Sequence, residues 1–193
     1  MEIILTPEQA PSAPLSTARE ALDDFDQLVR VHRSRIFRYI LASLRDTDVA
    51  ETLTQDTFVR AYRARESFRG DSSVGTWLMK IAVNLVRSQI ASSRWKFWRQ
   101  AERYGVNAAE AGDWLADDRR TPEDAALARE QVAAVWLVAE TLSERQRTVF
   151  LLRFVEDMDL LEIAAATGMK EGTVKVHLFR ALAAVREKLG AAQ

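Results

Sequence analysis

The sequence predicts an all-α protein of two small helical domains joined by a connector. Apolar side chains recur every three or four residues along most of the chain, as on one face of an amphipathic helix. Only 7 Gly and 4 Pro fall among the 193 residues, too few turn residues for an all-β fold. Because the helical spacing fades midway, we divide the chain into a disordered lead (1–19), a first domain (20–95), a connector (96–121) and a second domain (122–193).

The first domain is predicted to contain three helices. Apolar residues mark one helix over about 25–44, and a second over about 48–65 has Asp46 or Thr47 as its N-cap. Glycine, aspartate and serine crowd the segment 67–75, which predicts a loop, and the third helix follows that loop. Three helices of this size form one small bundle.

The second domain resumes the helical pattern after the connector. A stripe from Leu127 to Leu142 predicts one helix, and Ser143 can cap another. Two short helices, over about 159–167 and 171–188, end the chain, and no strand pattern or internal repeat is evident. The connector is rich in aromatic residues, some of which we expect to dock on a folded domain.

Charge is unevenly distributed along the chain, although the formal net charge is only −1. Cations outnumber acids over 60–69, 87–103 and 168–190, whereas acids outnumber cations over 110–130. Separate basic surfaces joined by an acidic segment suit a protein that contacts a polyanion at more than one place. Ordinary solvated helix faces are the alternative, and charge alone does not distinguish the two.

The composition argues against catalysis, metal binding and membrane insertion. The chain has no Cys, and its two histidines, His32 and His177, are far apart, so we expect no metal and no cofactor. No Gly-rich phosphate loop or nucleophile motif is present, so we expect no catalytic residue. The sequence has neither a signal peptide nor a run of about 18 apolar residues, which predicts a cytoplasmic protein without direct membrane insertion.

The segment "LLEIAAATGMKEGTVKVHLFRAL" has the steric pattern of a helix-turn-helix. Ala164 is small enough for two helices to cross, Gly168 suits a left-handed turn, and Val174 would insert the second helix into the core. That second helix would enter the major groove of DNA. Its polar side carries the candidate DNA contacts Lys170, Glu171, Thr173, Lys175, His177 and Arg180. The alternative is a helix pair that packs for structural reasons only.

Two longer segments carry a resemblance to a known family. The sequence "AETLTQDTFVRAYRARESFRGDSSVGTWLMKIAVN" resembles region 2 of bacterial sigma factors. The sequence "LSERQRTVFLLRFVEDMDLLEIAAATGMKEGTVKVHLFRAL" is similar to their region 4, and the two follow in the family's order. Neither a region 1 nor a full region 3 is evident, which points to the extracytoplasmic-function class.

The resemblance implies a subunit that binds core RNA polymerase and directs promoter-specific transcription, and no enzymatic activity. The residues that would bind the clamp helices of the polymerase β′ subunit are Glu51, Leu53, Gln55, Asp56 and Phe58. Those that would bind the −10 element as a single strand are Phe68, Arg69, Asp71, Ser72, Trp77, Lys80, Asn84 and Arg87. A polar loop beside aromatic and basic side chains suits that task.

The resemblance also implies roles for the remaining parts. The helix-turn-helix would bind the −35 element as duplex, with the helices before it on the β flap, and the connector would run toward the RNA exit path. An anti-sigma factor would mask both polymerase-binding faces until a signal arrives. The chain departs from the family pattern at Thr52 and Ser88, where acidic residues are usual, and this bears on the promoter sequence more than on the class.

Several of these residues have a second interpretation. Phe58 and Phe68 are of a type that packs in cores, and Trp77 adjoins a leucine of the core pattern. Gln55 and Asp56 fit a plain solvated helix face, and only the resemblance assigns them to a partner.

Two other classes of protein are alternatives to the sigma factor. A regulator with a LuxR-like output domain shares the "TVKVHL" and "LSERQR" segments, but it would carry a sensor domain of alternating strands and helices. An enzyme would need acids, histidines or a nucleophile converging on a pocket, which the sequence does not indicate.

Overall fold

The computed structural model describes residues 22–92, 139 and 141–190. Its helices are α1 (Phe25–Leu44), α2 (Thr47–Ala64), α3 (Val74–Ala91), α4 (Glu144–Phe154), α5 (Leu160–Thr167) and α6 (Glu171–Gly190), with a 3-10 turn at Arg65–Ser67. Over these described residues there is no strand, which confirms the all-α prediction. The lead, the connector with its aromatic residues, and the predicted domain boundaries lie outside the described residues.

Side-chain caps fix where the helices of the N-terminal bundle (α1–α3) begin. Asp46 is the cap of α2, because its carboxylate accepts a hydrogen bond from the Val49 amide at 2.9 Å. Ser73 caps α3, its hydroxyl accepting from the Thr76 amide at 3.1 Å. As a result α3 begins at Val74, so the predicted loop over 67–75 is shorter than expected.

Reciprocal caps order the helices of the C-terminal bundle (α4–α6). At the start of α4 the Ser143 amide donates to the Gln146 side chain at 3.1 Å, which confirms the predicted cap. At the start of α5 the Asp159 and Glu162 side chains each accept from the other's backbone amide, at 2.7 and 3.0 Å. Two donors that the helix leaves unpaired are satisfied in this way.

The helix-turn-helix forms as its steric pattern predicts. Gly168 ends α5 with φ +71°, and its amide donates to the Ala164 carbonyl at 2.9 Å. Val174 on α6 and Ile163 on α5 are both fully buried and belong to the same hydrophobic core. The left-handed turn therefore sets the angle at which α6 leaves α5.

The two bundles pack directly against each other. Their buried side chains form one continuous hydrophobic cluster that includes Tyr39, Ile40, Leu78, Met79, Leu151, Leu152, Met158 and Ile163. The main joint is between α3 and α5, and a smaller one joins α1 to α4. Helices assigned by sequence to different DNA-binding tasks thus lie side by side in this structure.

The turn at Gly168 predicts a stability difference between two glycines. A Gly168→Ala methyl group would meet no atom within 4 Å, so its cost comes from the left-handed backbone, about 1–2 kcal/mol. Gly172→Ala, equally free of contacts but at an ordinary φ inside α6, should leave stability unchanged or raise it by about 0.5–1 kcal/mol. Urea unfolding followed by circular dichroism measures both. Equal losses in the two variants would contradict the assigned turn.

Candidate polymerase and nucleic-acid interfaces

The predicted polymerase-binding carboxylates lie on the solvent side of α2, each in an ion pair. The Arg33 guanidinium is 2.6 Å from the Glu51 carboxylate, and that of Arg60 is 3.0 Å from Asp56. Gln55, between them in sequence, is exposed. All four charged side chains keep at least a third of their surface in water, so these pairs contribute little to stability and can exchange partners.

The two apolar members of that set lie in the core. Phe58 is 7% exposed, with its ring centroid 6.5 Å from that of Phe25 in an edge-to-face contact. Leu53 is partly buried and packs against the same cluster. These side chains hold α2 in place, as the alternative interpretation of Phe58 anticipated.

Two exposed apolar residues of α2 were not identified from the sequence. Val59 and Tyr62 are 46% and 49% exposed, and they follow Gln55 at helical spacing on one face. The Tyr62 ring centroid lies 3.9 Å from the Arg65 guanidinium, which fixes the ring at the surface. Val59 and Tyr62 follow Gln55 by four and seven residues, and this spacing in the sequence could have placed both on the exposed face of the helix.

The loop before α3 presents polar side chains around an aromatic pair. Phe68 and Trp77 are both half-buried, with ring centroids 5.2 Å apart and ring planes tilted by 59°. Each packs against the core and is only partly buried, which agrees with the core interpretation of Trp77, and its contact with DNA stays a prediction. Arg69 and Asp71 are exposed and Ser72 is half-buried.

One face of α3 continues this surface. Lys80, Asn84 and Arg87 follow Trp77 at intervals of three and four residues, and all three are exposed. An exposed amide between two cations has no packing role on this face and is suited to hydrogen bonding with a base. Arg87 also faces the other bundle, its Nε atom 3.9 Å from the Glu144 carboxylate.

The predicted −35 residues of α6 differ in how far they are exposed to solvent. Thr173, Lys175 and Arg180 are exposed, as is Lys170 just before the helix, while Glu171 and His177 are half-buried. Lys175 is paired with Glu171 at 2.6 Å. The His177 Nδ1 atom is buried and has no hydrogen-bond partner.

Two large apolar side chains of α6 are exposed, and neither was identified from the sequence. Val176 is 47% exposed and Phe179 71% exposed, and Lys175 and Arg180 flank them on the helix. Apolar side chains on a recognition helix can contact the methyl group of thymine in the major groove. Counting helical turns from the buried Val174 would have placed Val176 opposite the core.

Burial lowers the pKa of both histidines below the ordinary value of 6.5. For His32, burial is the main cause, and the neighbouring Arg35 guanidinium lowers the pKa further. For His177, burial acts first, followed by Arg145 and Arg180. Within the described parts of the chain, no three His, Asp or Glu side chains converge as they would on a metal ion. None of the helices described there is long and apolar enough to span a membrane.

Comparison with protein families matches both halves of the chain. Residues 28–96 match "Sigma-70 region 2", and residues 133–185 match "Sigma-70, region 4". The RNA polymerase sigma-H factor of Pseudomonas aeruginosa is 32% identical over 190 residues, 96% of each chain. The ECF RNA polymerase sigma-E factor of Escherichia coli is 31% identical over 169 residues, 86% of each chain.

Solved structures share the fold at lower identity. The sigma factor RpoE of Bartonella quintana, in complex with the anti-sigma factor NepR, has a TM-score of 0.65 and 22% identity, covering 89% of this chain and 99% of that one. CnrH, in complex with the cytosolic domain of CnrY, has a TM-score of 0.64 and 24% identity, covering 91% and 96%.

The lowered pKa of His32 predicts a loss of stability in mild acid. Below pH 6.5 the unfolded chain takes up a proton that native His32 accepts less readily, so the free energy of unfolding falls as pH decreases. The variant His32→Gln should therefore lose less stability than the unsubstituted protein between pH 7 and the lowered pKa. Urea titrations at a series of pH values measure this. Parallel pH dependences for the two proteins would refute the assignment.

Proposed function

Because the chain belongs to the extracytoplasmic-function sigma factors of the sigma-70 family, we propose that three separate surfaces of it bind core polymerase, the −10 element and the −35 element. As a sigma factor it binds core RNA polymerase and promoter DNA and directs promoter-specific initiation of transcription. The observation that carries the residue assignment is that one chain presents two outward DNA-compatible helix faces, on α3 and on α6.

The polymerase surface is the solvent side of α2. Gln55 and the weakly held carboxylates of Glu51 and Asp56 supply polar contacts, and exposed Val59 and Tyr62 supply apolar area at the centre. Interfaces of this kind have an apolar or aromatic core and a polar rim. Leu53 and Phe58 act indirectly, by fixing the helix that carries these groups.

The −10 surface is the loop before α3 together with the α3 face. The half-buried Phe68–Trp77 pair offers aromatic rings on which an unstacked base can stack, worth about 1–3 kcal/mol per base. Arg69, Asp71 and Ser72 surround it with polar groups, Lys80 and Arg87 can neutralise phosphates, and Asn84 can read a base edge. Single-stranded DNA is the form that presents such bases.

The −35 surface is the outward side of α6. Arg180 and Lys175 can reach phosphates or guanine, and Thr173 lies near the helix N-terminus, where base edges are read. Lys170 and Glu171 border that end of the helix, and half-buried His177 is an edge contact at most. Val176 and Phe179 extend the assigned set with possible thymine-methyl contacts.

Regulation and location follow from the same family. We expect an anti-sigma partner, which the fold shared with a sigma factor solved with its anti-sigma factor supports. We also expect the protein to act in the cytoplasm, where promoters are, and to have no enzymatic activity of its own. The LuxR-like alternative lacks support, because residues 22–92 form three helices and no strand.

The direct test is run-off transcription with sigma-free core RNA polymerase on DNA from the source genome. Adding the protein should produce defined start sites, and the DNA upstream of them should share two sequence elements. Heat-inactivated protein is the control. Absence of starts and of co-elution with core polymerase, together with unaided binding to one duplex site, would overturn the proposal in favour of a LuxR-like regulator.

Two cations of α6 provide a matched test of the −35 surface. Arg180→Ala removes an exposed cation from the face assigned to DNA, and it should weaken promoter-specific transcription by the equivalent of about 1–3 kcal/mol. Lys188→Ala removes an exposed cation near the C-terminal end of the same helix and should change transcription little. Start-site yield at limiting sigma factor measures both. Equal yields from the two variants would contradict the assigned face.

A further inference from the structure

A buried carboxylate joins the two bundles. Glu156, in the turn after α4, has no exposed side-chain surface, and both its oxygens are engaged by arginines of α1. Arg35 Nε lies 3.1 Å from Oε2, and Arg38 donates from Nε to Oε1 at 3.0 Å and from Nη2 to Oε2 at 3.2 Å. Arg35 Nη2 also donates to the Glu156 backbone carbonyl at 3.0 Å.

Two further contacts across the joint have the same polarity. The Thr76 hydroxyl donates to the Glu162 carboxylate at 3.2 Å, and Arg87 faces the Glu144 carboxylate at 3.9 Å. In each case the donor belongs to the N-terminal bundle and the carboxylate to the C-terminal bundle. Thr76 and Arg87 lie at the two ends of the α3 segment assigned to the −10 element, so anionic groups of α4 and α5 stand beside DNA-directed donors.

One of the two arginines, Arg35, adjoins the −10 surface. Arg35 Nη1 lies 3.4 Å from the position that a methyl group on Gly75 would occupy, at the start of α3. The guanidinium group therefore sits where the loop over 67–73 meets the helix. Arginine binds carboxylate and phosphate in the same forked geometry, so a group that holds Glu156 here can hold a DNA phosphate if the carboxylate leaves.

The closed arrangement cannot bind both promoter elements at once. The −10 and −35 elements lie about 25 base pairs apart, roughly 85 Å at about 3.4 Å per base pair. In this structure α3 packs on α5, with Thr76 and Glu162 in hydrogen-bond contact at 3.2 Å. The 46 residues between Ser92 and Ala139 could span at most about 160 Å when extended, so the chain length permits separation.

We propose that Arg35 and Arg38 form a DNA-phosphate site of the N-terminal bundle, which Glu156 occupies as an internal substitute for phosphate while the two bundles are closed. The site deepens the proposed function and rests on it, since it assumes that this bundle binds promoter DNA. Separation of the bundles removes the carboxylate and frees the two guanidinium groups, of which that of Arg35 lies beside the −10 surface. It also lets the two DNA-binding faces move apart.

The chemistry of the joint suits a contact that opens. An apolar contact of similar size would hold the bundles at least as well, because a buried ion pair loses the hydration of both partners. Burial raises the pKa of the Glu156 carboxyl, and the two arginines lower it only in part. The charged groups regain water, or exchange one anion for another, when the bundles separate.

The test compares two variants that both break the joint with one that does not. Glu156→Gln removes the buried charge and leaves the arginines. The double variant Arg35→Gln, Arg38→Gln breaks the same contact and removes the phosphate site. Asp157→Asn is the matched control, because the adjacent Asp157 is 98% exposed, pairs with Arg153 inside its own bundle, and its left-handed φ of 50° suits asparagine.

Separation of the bundles is measured by energy transfer between dyes at Arg63→Cys on α2 and Lys188→Cys on α6, both exposed positions in a chain without native Cys. The dye-to-dye distance should lengthen in Glu156→Gln and in the double arginine variant, and stay unchanged in Asp157→Asn. Circular dichroism should show the same helix content in all the variants, because the contacts that are removed lie between the bundles and not within them. An unchanged distance in Glu156→Gln would overturn the proposed latch.

DNA binding is measured by anisotropy of a fluorescein-labelled random-sequence single strand over a salt series. Glu156→Gln should bind about tenfold more tightly than the unsubstituted protein at low salt, with a log K against log [salt] slope steeper by about 0.7 per phosphate, or roughly 1.4 for two. In the double arginine variant the bundles should separate, but the slope of log K against log [salt] should be no steeper than in the unsubstituted protein. In Asp157→Asn the slope should equal that of the unsubstituted protein.

Equal slopes for Glu156→Gln and the double arginine variant would overturn the phosphate site. A protein that fails in run-off transcription but shows these slope differences would contradict the sigma function alone. One that supports transcription without them would contradict only the site.

Discussion

The way the two bundles meet at α1 and α4 depends on one buried ionic contact, the Glu156 carboxylate between Arg35 and Arg38. Apolar packing makes each bundle, but it is this contact that fixes how α1 and α4 meet at their smaller joint. A carboxylate removed from water needs hydrogen-bond donors in place of water, and the two guanidinium groups supply three in defined directions. The relative placement of the two bundles is therefore specified by hydrogen-bond geometry as well as by hydrophobic area.

The relative placement of the two bundles bears on how the protein can bind DNA. A sigma factor that reads two promoter elements needs its two DNA-binding faces far apart, whereas the closed structure holds α3 against α5. Binding to two separate places on core polymerase is one source of the free energy that opens the joint, since linked binding of two modules is stronger than either alone. Closed and open states then differ in which anions the arginines of α1 hold.

Local steric rules made part of the fold predictable. The turn at Gly168 and the burial of Val174 depend on contacts within about ten residues, and both were correctly predicted from the spacing of residues. The exposure of Val59 and Val176 was missed, although their helical spacing from Gln55 and from the predicted buried Val174 indicates the outward side of each helix. The Arg35–Glu156 contact joins positions 121 residues apart, and no local sequence pattern predicts it. The roles of the DNA-contacting residues, by contrast, came from family resemblance and stay predictions.

On joining core polymerase, the chain is expected to pass from the closed to the open arrangement. The most direct measurement is the distance between dyes on α2 and α6 in the unsubstituted sequence, before and after saturating core RNA polymerase is added. We expect a single short distance in the free protein, replaced on binding by a longer one that matches the separation of the two promoter elements. A short distance that persists in a transcriptionally active complex would contradict it.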